Sequence, residues 1–290
     1  MSMEIIGTVR EMQTRADGYR RSGTTIGIVP TMGSLHEGHV SLIRLARGAS
    51  DIVVTTVFVN PTQFGPNEDF NRYPRDIKRD EAVAAQSGSD ILFCPEVREM
   101  YPEGYRTYVI TDELSGILEG SVRPGHFRGV TTVVLKLFNI VKPHVAVFGQ
   151  KDAQQAAIIG RMIRDLDLDI RLIVGPIVRE ADGLALSSRN AYLNPDERKR
   201  ATVLYRSLLE AESAVRNGER SAASLRRKMQ EILETGRPDS IDYVAFLEPE
   251  TFRETKLVEP PSVLVVLAAR FGRTRLIDNS IIAVSKESAL

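Results

Sequence analysis

Two of the chain's four histidines stand three residues apart, in the stretch "PTMGSLHEGHVSLIRLA" that carries His36 and His39. Residues three apart share one face of a helix, so both imidazoles can address one small target. A metal ion is a poor fit. The spacing is H-x-x-H and not the H-x-x-x-H of a zinc-binding helix, only His126 and His144 remain as further nitrogen ligands, and Cys94 is the sole cysteine. A phosphate fits better. Gly33 and Gly38 keep the backbone open, and the pair lies where a loop enters a helix, with unpaired N–H groups and a favourable dipole. Two imidazoles there could both donate to a phosphoryl group as it gains charge.

Other residues repeat this chemistry more weakly. Lys151-Asp152 places a cation and an N-cap candidate ahead of a second helix, although standing alone it reads better as a surface lysine beside an ordinary cap. "DGLALSSRN" ends in Ser187, Ser188 and Arg189, three phosphate-suited donors, or else a turn followed by a capping serine. Gln63 and Gln155 are neutral amides that can donate and accept at once, which suits a substrate bearing hydroxyl and carboxylate groups. The connection 60–74 is long for a strand-to-helix link and contains Asp69, Arg72 and Tyr73; such loops often cover sites, though a solvated face explains the charges too.

These residues need elements to hold them. Apolar β-branched runs at 25–29, 52–59, 91–93, 145–148 and 170–174 alternate with amphipathic stretches at 40–47, 75–86, 129–141 and 152–165. Runs such as "IVVTTVFV" are apolar on both faces, as parallel strands covered by helices should be. The alternation predicts an open, doubly wound parallel sheet, in which ligands bind beyond the carboxyl ends of the strands. The His pair, the 60–74 connection and Lys151 all follow strand ends. After about residue 180 the rhythm changes. One long helix is expected over 195–215 with Asn194 as N-cap and Pro195 at its first position, a second starts at Ser221, and three strand-like runs follow. The expected division is 1–178 for the sheet domain and 179–290 for a smaller α+β domain.

Bulk properties exclude several classes. The 290 residues balance 38 Lys and Arg against 38 Asp and Glu, so no basic surplus marks a nucleic-acid or anionic-membrane partner. The N-terminal stretch lacks the pattern of a signal peptide, and the apolar runs are too short or interrupted to span a bilayer; a cytoplasmic setting is expected. Cys94 follows "DILF" and reads as a small core residue at a strand end. Neither a G-x-x-x-x-G-K-[ST] loop nor a G-x-G-x-x-G fingerprint is present, so a nucleotide would bind by another motif.

The motifs "PTMGSLHEGH", "FVNPTQF", "RPGHFRGV", "FGQKD" with Gln155, "DGLALSSRNAYL" and "RLIDN" occur here in an order and spacing that resembles the pantoate–β-alanine ligases. The resemblance covers essentially the whole chain. His36-Glu37-Gly38-His39 is similar to the HIGH-type signature of a wider nucleotidyltransferase superfamily. The resemblance implies a Rossmann-like domain with a small C-terminal domain that closes over the site, usually in a homodimer. It implies an AMP-forming ligase: pantoate attacks the α-phosphate of MgATP, pyrophosphate leaves, and β-alanine then attacks the pantoyl adenylate to give pantothenate and AMP. No tightly bound organic cofactor is implied, and no residue is assigned as a metal ligand.

By position, the resemblance assigns Met32, Gly33, Ser34, Leu35, His36, Glu37, Gly38 and His39 to ATP, with His39 matching the proton donor and His36 beside it. Gly149, Gln150, Lys151, Asp152, Val178, Leu186, Ser187, Ser188 and Arg189 complete the ATP set, with Lys151, Ser187, Ser188 and Arg189 near the phosphates. Gln63 would bind pantoate and β-alanine, Gln155 pantoate, and Asn60 and Arg123 would border that pocket. Many relatives carry Glu in place of Gln150 and an aromatic in place of Ala153; neither change removes a donor assigned to catalysis. A simple adenylyltransferase, an inactive nucleotide-binding module and a tRNA synthetase fragment share parts of the pattern. The paired glutamines, the retained His, Lys and Ser-Ser-Arg groups, and the neutral charge count against them in turn.

Overall fold

The computed structural model describes residues 3–66, 68 and 70–285. The chain divides into two compact units, Met1–Pro176 and Ile177–Leu290.

The first unit runs β1 (Glu4–Ile6), α1 (Val9–Arg21), β2 (Ile26–Thr31), α2 (Glu37–Arg47), β3 (Ile52–Val57), α3 (Ile77–Ser87), β4 (Ile91–Phe93), α4 (Val97–Met100), α5 (Glu119–Val122), α6 (His126–Val141), β5 (Val145–Gly149), α7 (Ala153–Asp165) and β6 (Arg171–Gly175). Its six strands form one parallel sheet in the order β1-β4-β3-β2-β5-β6. Side chains alternate through the sheet, so it separates two cores. Ile26, Ile28, Val54, Phe93, Ala146 and Phe148 face α1, α6 and α7. Val29, Val53, Leu92, Val145 and Val147 face α2 and α3. Burial on both faces is why these strands read as continuous apolar runs.

The strand order fixes where a ligand can enter. The chain steps outward from β2 to β3 and β4, then returns to place β5 on the other side of β2. The connection after β2 leads to α2 on one face, and that after β5 leads to α7 on the other. The two diverge at the carboxyl ends of adjacent strands, the topological switch point at which open α/β sheets bind their ligands. Helix α2 lies close over this end of the sheet: a Cβ on Gly175 at the end of β6 would sit 2.5 Å from Leu42 Cδ2.

β1 and α1 stand outside the expected alternation. β1 is three residues at the sheet edge, and α1 buries only Met12 and Ala16 among many charges, so its apolar stripe is too narrow to show as periodicity. The start of α2 also lies earlier than the apolar run suggested, at Glu37.

The second unit comprises α8 (Pro195–Arg200), α9 (Val203–Arg216), α10 (Ala222–Thr235), β7 (Ser240–Leu247), β8 (Ser262–Phe271) and β9 (Thr274–Ala283). The strands form an antiparallel sheet in sequence order, and α9 and α10 pack on it through Leu204, Leu208, Leu225 and Leu233. Asn194 caps α8 by accepting from Glu197 N, and Ser221 caps α10. The single helix expected over 195–215 is broken at 201–202. There the Thr202 hydroxyl bonds back to Lys199 O and Leu204 N reaches Ala201 O, which replaces the α-helical ladder with a tighter turn. No helix among the described residues is long and apolar enough to cross a membrane.

Candidate functional site

The segment after β2 is held in a shape most residues avoid. Gly33 has φ +89° and Ser34 φ 53°. A Cβ on Gly33 would lie 2.8 Å from Asp80 Oδ2, so the glycine serves both the left-handed turn and a close approach. Asp80, fully buried on α3, accepts from Ser34 N at 2.9 Å and Leu35 N at 2.7 Å. Both carboxylate oxygens thus fasten the strand exit, while buried Leu35 anchors it in the core. Asp80 was not singled out from sequence. Its signal is a charged residue on the buried stripe of α3, in line with Ala84 and Ser87.

His36 is the N-cap of α2 and His39 its third residue. His36 Nδ1 accepts from Gly38 N at 3.1 Å, and His39 Nδ1 accepts from His36 N at 3.3 Å. Two imidazoles therefore build a capping box that is usually made by Ser or Thr with Glu or Gln. Because each Nδ1 receives a backbone N–H, each neutral ring must carry its hydrogen on Nε2. The rings lie 4.2 Å apart between centroids and tilted at 45°. Burial pushes His36 down to about 4, helped by the Lys151 charge; burial pushes His39 down to about 3, helped by His36. Both are neutral near pH 7 and offer Nε2–H donors. A lone pair for a metal is the one thing this tautomer withholds.

Lys151 and Asp152 belong to the neighbouring exit, after β5. β2 and β5 are parallel neighbours, so the sheet brings the two exits together, and the charges of Lys151 and Asp152 bear on both histidines. Gly149, Gln150, Lys151 and Asp152 enter a 3-10 turn ahead of α7. Asp152 occupies the N-cap position expected of it, but its side chain makes no cap hydrogen bond; the carboxylate lies 3.6 Å from Lys151 Nζ instead. Glu37 stands exposed on α2 and pairs with Arg44.

The β3 exit carries the amide groups. Asn60, Thr62 and Gln63 form a short turn seated on α6, where a Cβ on Gly129 would meet Thr62 O at 2.4 Å. Asn60 Nδ2 donates to Gln63 Oε1 at 3.1 Å, and Gln63 Nε2 lies 3.1 Å from Met32 Sδ, linking this turn to the segment after β2. His126 Nδ1 donates to Gln63 O at 2.8 Å, and its Nε2 accepts from Arg123 at 3.0 Å. Burial and the Arg123 charge hold His126 down at about 4. Arg123 also grips Glu68 through Nε at 2.8 Å and a terminal nitrogen at 2.6 Å, so its fork is occupied within the 60–74 connection. That connection folds on its own aromatic cluster of Phe64, Phe70 and buried Tyr73. Asp69 lies outside the described residues. On α7, the buried Gln154 side chain pins Leu114 O, Ile117 O and Glu119 N, whereas the half-buried Gln155 side chain makes no hydrogen bond among the described residues.

In the second unit, Val178 and Leu186 close a tight hairpin through Leu186 N to Val178 O, with Arg179 bridged to Ala185. Gly183 makes its turn at φ +92° against Tyr205. Ser187 follows and caps the 3-10 turn Ser188–Tyr192 by accepting from Arg189 N. Asn190 ties this turn to Glu180 and Ala185 O. Cys94 is half-buried, and burial pushes its thiol up to about 12, so it stays protonated and inert.

The family model of pantoate–beta-alanine ligase matches residues 4–281. Pantothenate synthetase of Acetivibrio thermocellus is 51% identical over 97% of this chain and 100% of its own length, and that of Fervidobacterium nodosum is 53% identical over 97% and 99%. The crystal structure of pantothenate synthetase from Thermus thermophilus aligns with a TM-score of 0.90 at 45% identity, covering 96% of this chain and 99% of the other. A pantoate–beta-alanine ligase from Francisella tularensis, complexed with beta-gamma ATP and beta-alanine, aligns with a TM-score of 0.79 at 33% identity over 96% and 97%. With the sequence matched from end to end, and with its histidines and Lys151 gathered at the switch point of the parallel sheet, this chain belongs to the pantoate–beta-alanine ligase family.

Proposed function

We propose that this chain condenses pantoate with β-alanine to form pantothenate, driven by ATP through a pantoyl adenylate. The observation that carries the reading is the set of neutral Nε2–H donors on His36 and His39 beside Lys151, at the switch point between β2 and β5. A carboxylate is a poor acyl donor until one oxygen becomes part of a good leaving group. In the first step a pantoate carboxylate oxygen bonds to the α-phosphorus of ATP, and the bond to the bridging oxygen breaks to release pyrophosphate. In the second, the β-alanine amine attacks the acyl carbon, AMP leaves with the carbon–oxygen electron pair, and the amine loses a proton. Mg2+ enters with the triphosphate as part of the substrate.

The residue roles follow from donor chemistry. His39 and His36 donate hydrogen bonds to phosphate oxygens as charge builds in the transition state. With His39 held neutral, it acts as a fixed donor and not as an imidazolium acid. Lys151 supplies a point charge to the same phosphates. Met32, Gly33, Ser34, Leu35, Gly38 and Gly149 to Asp152 shape the ATP seat. Val178 and Leu186 to Arg189 are proposed as further ATP contacts on the chemistry of their donors. Gln63 and Gln155 are proposed to bind pantoate, and Gln63 β-alanine as well. Asn60 and Arg123 support that pocket from behind, since both are engaged with protein partners. A cytoplasmic homodimer is part of this reading, as the family resemblance implies.

The test is pantoate-dependent exchange of labelled pyrophosphate into ATP, with Mg2+ and without β-alanine. Exchange is expected, because adenylation precedes the amine. Absence of exchange in protein that binds ATP would overturn the adenylate route.

A further inference from the structure

Asn60 is buried with every polar atom of its amide in use. Oδ1 receives the Tyr101 hydroxyl at 2.9 Å, the Thr62 hydroxyl at 2.9 Å and Thr62 N–H at 3.3 Å. Nδ2 donates to Gly129 O and to Gln63 Oε1, both at 3.1 Å. The polarity of this amide is decided by groups that cannot change sign. Thr62 N–H is a backbone donor and Gly129 C=O a backbone acceptor, so a turned Asn60 would face donor with donor and acceptor with acceptor. Tyr101 strengthens the arrangement, since burial pushes its hydroxyl up to about 12 and keeps it a donor.

The constraint passes to Gln63. One hydrogen of Asn60 Nδ2 serves Gly129, and the other needs an acceptor on Gln63, which only Oε1 provides. The NH2 end of Gln63 is therefore turned away from Asn60, toward the segment after β2, where its protein neighbour is the weak acceptor Met32 Sδ at 3.1 Å. Carboxyl-side backbone is fixed as well, by His126 on Gln63 O.

We propose that Asn60 is a positioning residue that locks Gln63 with its amide nitrogen outward, so that Gln63 meets substrate as a donor to a carboxylate or hydroxyl oxygen. The choice of substrate rests on the proposed ligase reading; the lock itself does not. It narrows the sequence-based view of Gln63 as an amide free to donate or accept. It also explains why a fully saturated asparagine borders the pocket: it acts through its neighbour.

Three measurements test this. Neutron diffraction from perdeuterated, ligand-free protein should show both side-chain deuterons of Gln63 on the end facing Met32; deuterons on the end facing Asn60 would overturn the lock whatever the substrate proves to be. In solution, Gln63→Glu keeps an acceptor for Asn60 and replaces the outward donor with a charged acceptor. It should raise the pantoate KM on the order of a hundredfold, with a much smaller change in kcat. Retained pantoate affinity in the folded variant would show that Gln63 serves as an acceptor. Asn60→Asp should raise the pantoate KM on the order of tenfold in wild type and add nothing in a Gln63→Ala background, because its effect runs through Gln63. Equal cost in both backgrounds, or none in either, would refute the positioning role.

Discussion

Lowering the pH from 7.5 to 5.0 should weaken this fold far more than ordinary surface titration would. An unfolded histidine titrates near 6.5, whereas His36, His39 and His126 are held at about 4, 3 and 4. Between these values the unfolded chain binds protons that the folded chain refuses. The stabilisation is complete above pH 6.5 and drains away as the pH falls toward 4. Integrating one such group from pH 7.5 to 5.0 costs about 2 kcal/mol, so the three together cost about 6 kcal/mol, a large part of a typical domain's stability. Carboxylates held low, such as Asp51 and Glu68, add their loss mainly below pH 5, where their unfolded forms begin to protonate. The assay is urea unfolding at both pH values, with proton uptake at pH 5.0 followed by pH-stat. Uptake of roughly 2.5 to 3 protons per unfolding event is expected from the three histidines. A stability loss under about 2 kcal/mol, or uptake of about one proton or fewer, would mean that the folded rings are already charged at pH 5. The backbone N–H bonds to Nδ1 of His36 and His39 could not then exist as described.

Three substitutions probe the parts that hold the site. Asp80→Ala strips the acceptors from Ser34 N and Leu35 N, two charge-assisted bonds that together are worth about 3–5 kcal/mol; urea unfolding should show that loss, and a change under about 1 kcal/mol would deny Asp80 its role. Gly129→Ala forces a methyl against Thr62 O and the Gln63 backbone nitrogen, at 2.4 and 2.6 Å before relaxation. It should cost about 1–3 kcal/mol and raise the pantoate KM, and an unchanged KM would show that the Asn60–Gln63 turn shifts without consequence. Lys151→Met removes a charge that depresses both histidines, most for His36. Their Cε1–H resonances should titrate at higher pH than in wild type while pyrophosphate exchange slows; unmoved titrations would place Lys151 away from the pair.

Much of the sheet could be read from residue order because its strands are buried on both faces. "IVVTTVFV" and "VAVF" carry no polar alternation to obscure them, and each ends at a Gly- or Pro-rich exit. Most of what escaped was held by contacts distant in sequence. β1 pairs with β4 across more than eighty residues, and nothing within "EII" announces it. The break in the long helix of the second unit depends on a threonine hydroxyl choosing a backbone carbonyl, a choice that a helical pattern does not record. Asp80 lies 45 residues from the Leu35 amide that it holds, and becomes suspect only once α3 is given a buried stripe. Arg123 and Asn60 were legible only through the family resemblance, as neighbours of a pantoate pocket. That both are spoken for, by Glu68 and by the Tyr101–Thr62–Gly129 set, depends on loops meeting in space.

The spacing of the histidine pair has a physical reason that periodicity alone does not supply. Three residues is the distance from N-cap to N3, the spacing at which the His39 ring can reach back to the N-cap N–H while the His36 ring takes the N–H of Gly38 in the first turn. A serine and a glutamate would cap α2 equally well, but would leave no N–H donor for a ligand. Imidazole has two nitrogens, and here they divide the work: Nδ1 terminates the helix, which forces the hydrogen onto Nε2, and burial keeps the ring neutral so that this hydrogen is offered without a charge to desolvate. A spacing of four would give up the bond from His36 N to the second ring and, with it, control of that ring's tautomer. The chemistry of the site and the local folding of α2 are thus set by the same two hydrogen bonds.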